Sequence, residues 1–249
     1  MNLIITDNYE EMSQEGAKMI LRKILSSKQI NLGLATGSTP LGLYKELVKY
    51  VRENNINLSG VATFNLDEYI GILPTHQGSF HYYMEKNVFG PLNIPENQRF
   101  IPDGMAENIL NECRNYEKKI QQYGGIDFQL LGVGENGHIG FNEPGTDFTK
   151  TTHVVELTET TRQANKKFFG QVEDVPGKAI TMGISTILRA REILLIANGV
   201  HKAEAIYQLF HGEYSKDWPV TALQKHKNVC VIVDQEAASL LIKQNNLCY

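Results

Sequence analysis

The densest chemistry in this chain lies in GVGENGHIGFNEPG, from Gly132 to Gly145, where five glycines surround a histidine and a glutamate five positions apart. A lone histidine usually belongs to a core, but a loop this rich in glycine has no core face to offer. If the loop folds back on itself, Glu143 meets His138 and fixes one ring nitrogen. The other nitrogen is then free to take and return a proton near neutral pH. Glycines at 132, 134, 137 and 140 permit close backbone approach and positive φ angles. The His-to-Glu spacing is not that of a zinc-protease helix and no third ligand is apparent, so the expectation is that no metal binds.

Three more stretches carry polar groups in the same kind of place, just after an apolar run. ATGSTPLGLY, residues 35–44, has Gly37 for a tight turn, hydroxyls on Ser38 and Thr39, and a helix opening at Pro40. Free N–H groups and the dipole at such a helix start form an anion site. The stretch is neither a Walker loop nor GxGxxG, and alone it reads equally as a capped turn with no ligand. TFNLDEYIG, residues 63–71, places Asp67 beside Glu68 after a strand. Adjacent side chains in extended geometry cannot both face one site. One is expected to enter a cleft while the other is solvated or pairs with a cation.

LIANGVHKAEAI, residues 195–206, puts Lys202 in or near the first turn of a helix. A lysine there opposes the helix dipole; an anion would explain it, and a side chain snorkelling into solvent is the competing reading. Lys166 and Lys167 in TRQANKKFF are a second cationic contribution, though alone they read as a solvated helical face. An anion cradle, one or two lysines, a carboxylate and a His–Glu pair, without a nucleotide fingerprint, suit proton transfer on a small phosphorylated molecule.

The elements that must position these groups alternate along the chain. Strand candidates are LIIT (3–6), INLGLAT (30–36), VATFN (61–65), IDFQLLGV (126–133), THVVEL (152–157), KAITMG (178–183), EILLIAN (192–198) and NVCVIVD (228–234). Most are apolar on both sides, as strands covered on both faces are. Between them stand helix starts: Asp7 with Glu10 reads as a capping pair before EEMSQEGAKMILRKIL, and Thr39-Pro40 as a cap with a first-turn proline. The alternation predicts one α/β domain built on an open, mostly parallel, Rossmann-like sheet with helices on both faces. Ligands of such sheets bind at the carboxyl ends of the strands, where all four loops lie.

The chain as a whole narrows the classes. Its 249 residues suffice for one sizeable core, and 42% apolar and 21% charged residues are those of an ordinary globular protein. A net charge of −4 without a basic cluster argues against nucleic acid or an anionic membrane as partner. No segment approaches a membrane span, and MNLIITDNYEE turns acidic too early for a signal peptide. Cys113, Cys230 and Cys248, odd in number and without CxxC spacing, read as reduced thiols in a cytoplasmic protein.

ATGSTPLGLY, FNLDEYIG, LGVGENGHIGFNEPG, TRQANKKFF and GVHKAEAI together resemble the signature segments of the glucosamine-6-phosphate deaminases, in the family's order and from about residue 30 to 235. The resemblance implies conversion of glucosamine 6-phosphate and water to fructose 6-phosphate and ammonia, without a cofactor. It implies that His138, oriented by Glu143 with Asn136 beside them, opens the sugar ring. Asp67 then corresponds to the base that removes the C2 proton and delivers it to C1. Gly37, Ser38 and Thr39, with Lys167 and Lys202, correspond to the phosphate grip. On the resemblance alone, residues 145–176 form a lid over the sugar.

Two departures from the family pattern carry expectations. Many members have aspartate where this chain has Asn136; an amide can hold a histidine tautomer but lacks the charge that stabilises an imidazolium. Some members are hexamers activated by N-acetylglucosamine 6-phosphate through basic residues after FNEP. Here GTDFTKTTHVVEL has Lys150 and His153 but no Arg/Lys cluster, and the chain ends early, at Tyr249. The expectation is a monomer without an allosteric effector. Two rivals share the fold. A 6-phosphogluconolactonase would have no use for a base at Asp67, and these relatives continue their glycine loop with a Ser-Leu-Phe-Pro type of segment rather than FNEP. A sugar-phosphate-sensing domain would need an N-terminal DNA-binding unit, for which a sheet starting at Leu3 leaves no room.

Overall fold

The computed structural model describes residues 1–166, 169–171 and 174–246. Among these described residues ten strands occur in chain order: β1 (Asn2–Thr6), β2 (Ile30–Leu34), β3 (Val61–Asn65), β4 (Asp67–Tyr69), β5 (Arg99–Phe100), β6 (Phe128–Leu131), β7 (His153–Glu156), β8 (Lys178–Thr181), β9 (Glu192–Ala197) and β10 (Val229–Asp234). Seven of them make an all-parallel sheet in the order β1-β10-β9-β6-β2-β3-β5. The apolar runs that are hydrophobic on both sides are buried on both sides. Helices Tyr9–Ser26 and Thr39–Glu53 cover one face through Met12, Ile20, Leu43 and Leu47, packed on Leu32, Leu34 and Ile196. Helices Ile109–Gln122 and Ala203–His211 cover the other through Tyr116, Ile120, Ile206 and Leu209, packed on Phe64, Leu131 and Leu195.

The sheet is therefore open, parallel and covered on both faces, as the alternation predicts. Two of the eight strand candidates leave it. THVVEL and KAITMG become β7 and β8 of a separate antiparallel sheet, ordered β4-β8-β7. Their partner β4 is the DEY of the acidic loop, so Asp67 and Glu68 lie on a short strand rather than in a loop. Tyr69, Phe80 and Phe141 pack into a small aromatic core beneath this second sheet, with Tyr69–Phe80 centroids 4.7 Å apart.

Two helix starts differ in detail from expectation. The first helix is capped by Asn8, whose side chain accepts from Glu11 N at 2.9 Å, while Glu11 Oε2 accepts from Asp7 N at 3.1 Å. Asn8, not Asp7, is thus the cap, and Glu11, not Glu10, reaches back, to the N–H of Asp7 rather than to that of the cap residue itself. Nor does Thr39 cap its helix: no side-chain cap bond forms there, and its hydroxyl donates to Asn198 Oδ1 at 2.9 Å. Within 145–176 the described residues include β7 and the helix Glu159–Asn165. Among the described residues no helix is long and apolar enough to cross a membrane.

Candidate active site

From β2 the chain steps outward to β3 and β5, then returns to β6 beside β2 and steps outward the other way through β9 and β10. The crevice between β2 and β6 is thus the point where strand order reverses, the usual ligand position of an open α/β sheet. A cavity of about 280 Å3 opens there, lined by Gly37, Ser38, Thr39, Asp67, His138 and Lys202, with Phe80, Tyr83, Phe141 and Thr161 in its walls. Lys167 lies outside the described residues. Lys166 is exposed.

Along β4 successive side chains alternate, and this separates the two adjacent acids. Asp67 faces the cavity, only 6% exposed, and makes no ion pair within 4 Å among the described residues. Burial, and then the neighbouring Glu68 carboxylate, pushes its pKa up to about 8. Glu68 turns away, and it is neither solvated nor paired with a cation. Its Oε1 accepts from Tyr69 N at 2.9 Å and Phe80 N at 3.0 Å, and its Oε2 from His81 N at 2.8 Å. It thereby fastens the start of helix Phe80–Met84, the helix that brings Phe80 and Tyr83 to the cavity.

The glycine loop after β6 does fold back. Gly134 N donates to His138 O at 2.9 Å, and Ile139 bridges Asn142. His138 Nδ1 lies 3.5 Å from Glu143 Oε2, longer than a good hydrogen bond but close for a charge pair. Asn136 Nδ2 donates to the same oxygen at 2.7 Å, and Thr161 Oγ1 donates to Oε1 at 2.7 Å. Burial alone would raise the Glu143 carboxyl, but the His138 contact, Thr161 and Asn136 outweigh it and hold the pKa at about 2. Gly134 has a steric task here, since a Cβ on it would sit 2.2 Å from the His138 ring. Among the described residues no three His, Cys, Asp or Glu side chains converge as metal ligands would.

Opposite stands the anion loop. Gly37 adopts φ +108°, which only glycine takes readily, and the helix Thr39–Glu53 begins directly behind it. Lys202 precedes helix Ala203–His211 and points its ammonium at the same space. Burial pushes that ammonium below its usual range, with Glu135 opposing the change. Among the described residues it has no ion-pair partner. A cation desolvated without a partner fits a site waiting for an anion.

Sequence reading missed Thr161, Asn198 and Tyr83. Thr161 is 18 residues from the glutamate it serves, and no local pattern marks such a contact.

A buried carboxyl, a histidine beside a carboxylate and a helix-start loop facing a lysine meet at the strand-order reversal of an open α/β sheet, the ligand position of that fold class. Comparison with known proteins agrees. The family model "Glucosamine-6-phosphate isomerases/6-phosphogluconolactonase" matches residues 7–232. Glucosamine-6-phosphate deaminase of Thermoanaerobacter sp. (strain X514) is 51% identical over 97% of this chain and 95% of its own. That of Geobacillus sp. (strain WCH70) is 50% identical over 100% and 99%. The chain belongs to the glucosamine-6-phosphate deaminase family. A solved monomeric glucosamine-6-phosphate deaminase, 45% identical, superposes with a TM-score of 0.94 over 96% of this chain and 100% of that one. The 6-phosphogluconolactonase of Trypanosoma brucei, 20% identical over 96% and 98%, shares the fold at a TM-score of 0.78.

Proposed function

We propose that this enzyme converts glucosamine 6-phosphate and water to fructose 6-phosphate and ammonia, as the names of its relatives indicate for them. The observation that carries the reading is Asp67: a buried carboxyl with no cation partner among the described residues, in one cavity with His138, Lys202 and the anion loop. The resting sugar is a closed pyranose whose C2 hydrogen is not acidic. His138 takes the proton of the C1 hydroxyl and gives one to the ring oxygen, with Glu143 and Asn136 fixing the imidazole. The C1 aldehyde so formed makes the C2 hydrogen acidic, and Asp67 removes it.

The enol ammonium that results gives up one N–H proton to solvent and takes the proton carried by Asp67 at C1, becoming an iminium at C2. Water adds there and ammonia leaves. Asp67 needs its charge to act, yet burial and the Glu68 carboxylate disfavour that charge. The substrate brings the missing partner, since its amino group is an ammonium next to the carbon that reacts. Binding the amine therefore arms the base. Gly37, Ser38, Thr39 and Lys202 hold the phosphate, with Lys167 added on family resemblance.

The enzyme acts as a cytoplasmic monomer without an effector, a reading supported by the monomeric relative and by the missing basic cluster after FNEP. The lid role of 145–176 falls partly outside the described residues; within them, the helix Glu159–Asn165 brings Thr161 onto Glu143 at the cavity wall, the contact a closing segment would use. The deciding experiment measures ammonia release from hexosamine 6-phosphates, together with solvent deuterium entering the sugar. Asp67→Asn should lower turnover by roughly 10²–10⁴, the worth of a positioned base, and abolish exchange. Lactone hydrolysis without ammonia or exchange would remove the proposal.

A further inference from the structure

The anion loop is held by two tyrosines, one of them in the cavity wall, whose hydroxyls none of the chemistry above uses. Tyr83 Oη donates to Gly37 O at 2.7 Å, and Tyr9 Oη donates to Ser38 O at 3.0 Å. No cis peptide occurs among the described residues. In a trans peptide the carbonyl and the N–H of the next residue point in opposite directions. A hydroxyl that fixes the Gly37 carbonyl therefore aims the Ser38 N–H away from itself, and one that fixes the Ser38 carbonyl does the same for the Thr39 N–H. Donation to a carbonyl also polarises the peptide and strengthens its N–H as a donor.

Tyr9 is built into the helix start more deeply still. Its oxygen accepts from Gly42 N at 2.7 Å while donating to Ser38. Only a glycine allows that approach, since a Cβ at position 42 would lie 2.8 Å from the tyrosine oxygen and 2.4 Å from Ser13 Oγ. The two tyrosines come from separate elements, helix Tyr9–Ser26 and helix Phe80–Met84, and converge on consecutive carbonyls.

We propose that Tyr9 and Tyr83 are positioning residues for the substrate phosphate, holding the peptides of residues 37–39 so that the Ser38 and Thr39 N–H groups face the anion. The inference rests on the sugar-phosphate reading of this cavity. Tyr9→Phe and Tyr83→Phe keep both rings; Tyr83→Phe removes the donor to Gly37 O alone, and Tyr9→Phe removes both the donor to Ser38 O and the acceptor of Gly42 N. Each should raise KM for the sugar phosphate and the dissociation constant of inorganic phosphate together, by about three- to tenfold, the worth of a neutral hydrogen bond, while kcat falls less. Gly42→Ala, which helix propensity alone would favour, should weaken phosphate in the same way by displacing Tyr9.

Phosphate binding, followed by calorimetry, needs no turnover, so it separates this inference from the deaminase reading. A protein that binds phosphate but releases no ammonia refutes the reaction and leaves the tyrosines testable. Folded Tyr→Phe variants that bind phosphate as the parent does, or that lose only melting temperature, overturn the assignment. A folding defect in one variant leaves the other as the test, because the tyrosines sit on different helices.

Discussion

At the scale of single residues, the site is governed by two carboxyls moved in opposite directions. Asp67 is pushed from 3.8 up to about 8, and Glu143 is held down from 4.5 to about 2. A carboxyl raised in the folded chain makes folding less favourable as pH climbs from about 4 to 8, because the native state resists losing that proton. Asp67→Asn should therefore melt higher than the parent at pH 8, on the order of a few kcal/mol, with the gap closing toward pH 4. Thermal melts of both proteins across pH check this, and equal gaps at both ends would contradict it. Glu143 has the reverse sign: it stabilises above about pH 4.5, and that contribution fades as pH falls toward 2. The same shift in Asp67 predicts that kcat/KM rises with pH through an ionisation near 8 in the free enzyme, read from a pH–rate profile. Gly134→Ala should lower activity at least tenfold with little loss of stability, by pushing the imidazole off its glutamate rather than by straining the turn. Ammonia release and melting temperature, measured side by side, separate the two effects.

At the scale of elements, Glu68 is the piece whose removal reaches furthest. It satisfies three backbone N–H groups where β4 meets the start of helix Phe80–Met84. Glu68→Ala would leave those donors buried and unpaired, a cost of about 2–4 kcal/mol. A lower denaturation midpoint with a higher KM, through displacement of Phe80 and Tyr83, is the expected pair of results. An unchanged midpoint would show that water replaces the carboxylate. Glu68 is also where sequence reading ran out. That Asp67 and Glu68 diverge follows from their adjacency alone, but what receives Glu68 depends on a helix start twelve residues away. Most of the eight longer strands are readable because burial on both faces writes a continuous apolar run, as in β3, β6 and β9. β4 and β5, three and two residues long, write no pattern at all. The departure of β7 and β8 from the main sheet was equally hidden, since an apolar run does not record which edge it pairs with. The cap falls on Asn8 rather than Asp7 because adjacent Asp and Asn side chains can each accept a first-turn N–H.

At the scale of the whole molecule, the four polar loops converge because parallel strands deliver all their carboxyl ends to one side. That much follows from the alternation of elements, and it is why Gly37, Ser38, Thr39, Asp67, His138 and Lys202 were legible as one group before any coordinates. The monomer proposal belongs at this scale too. Sedimentation should give the mass of a single chain with and without substrate, and ammonia release should follow a hyperbola that N-acetylglucosamine 6-phosphate does not steepen or shift. A sigmoidal curve would reinstate the oligomeric, effector-driven form of the family.

The grip and the base come from different sheets: the anion loop follows β2 of the parallel one, while Asp67 belongs to the three-stranded one. An engineer, or a lineage, thus holds two handles rather than one. Rebuilding the minor layer would hand a tethered phosphoester to new chemistry, while the larger layer goes on catching the same tail.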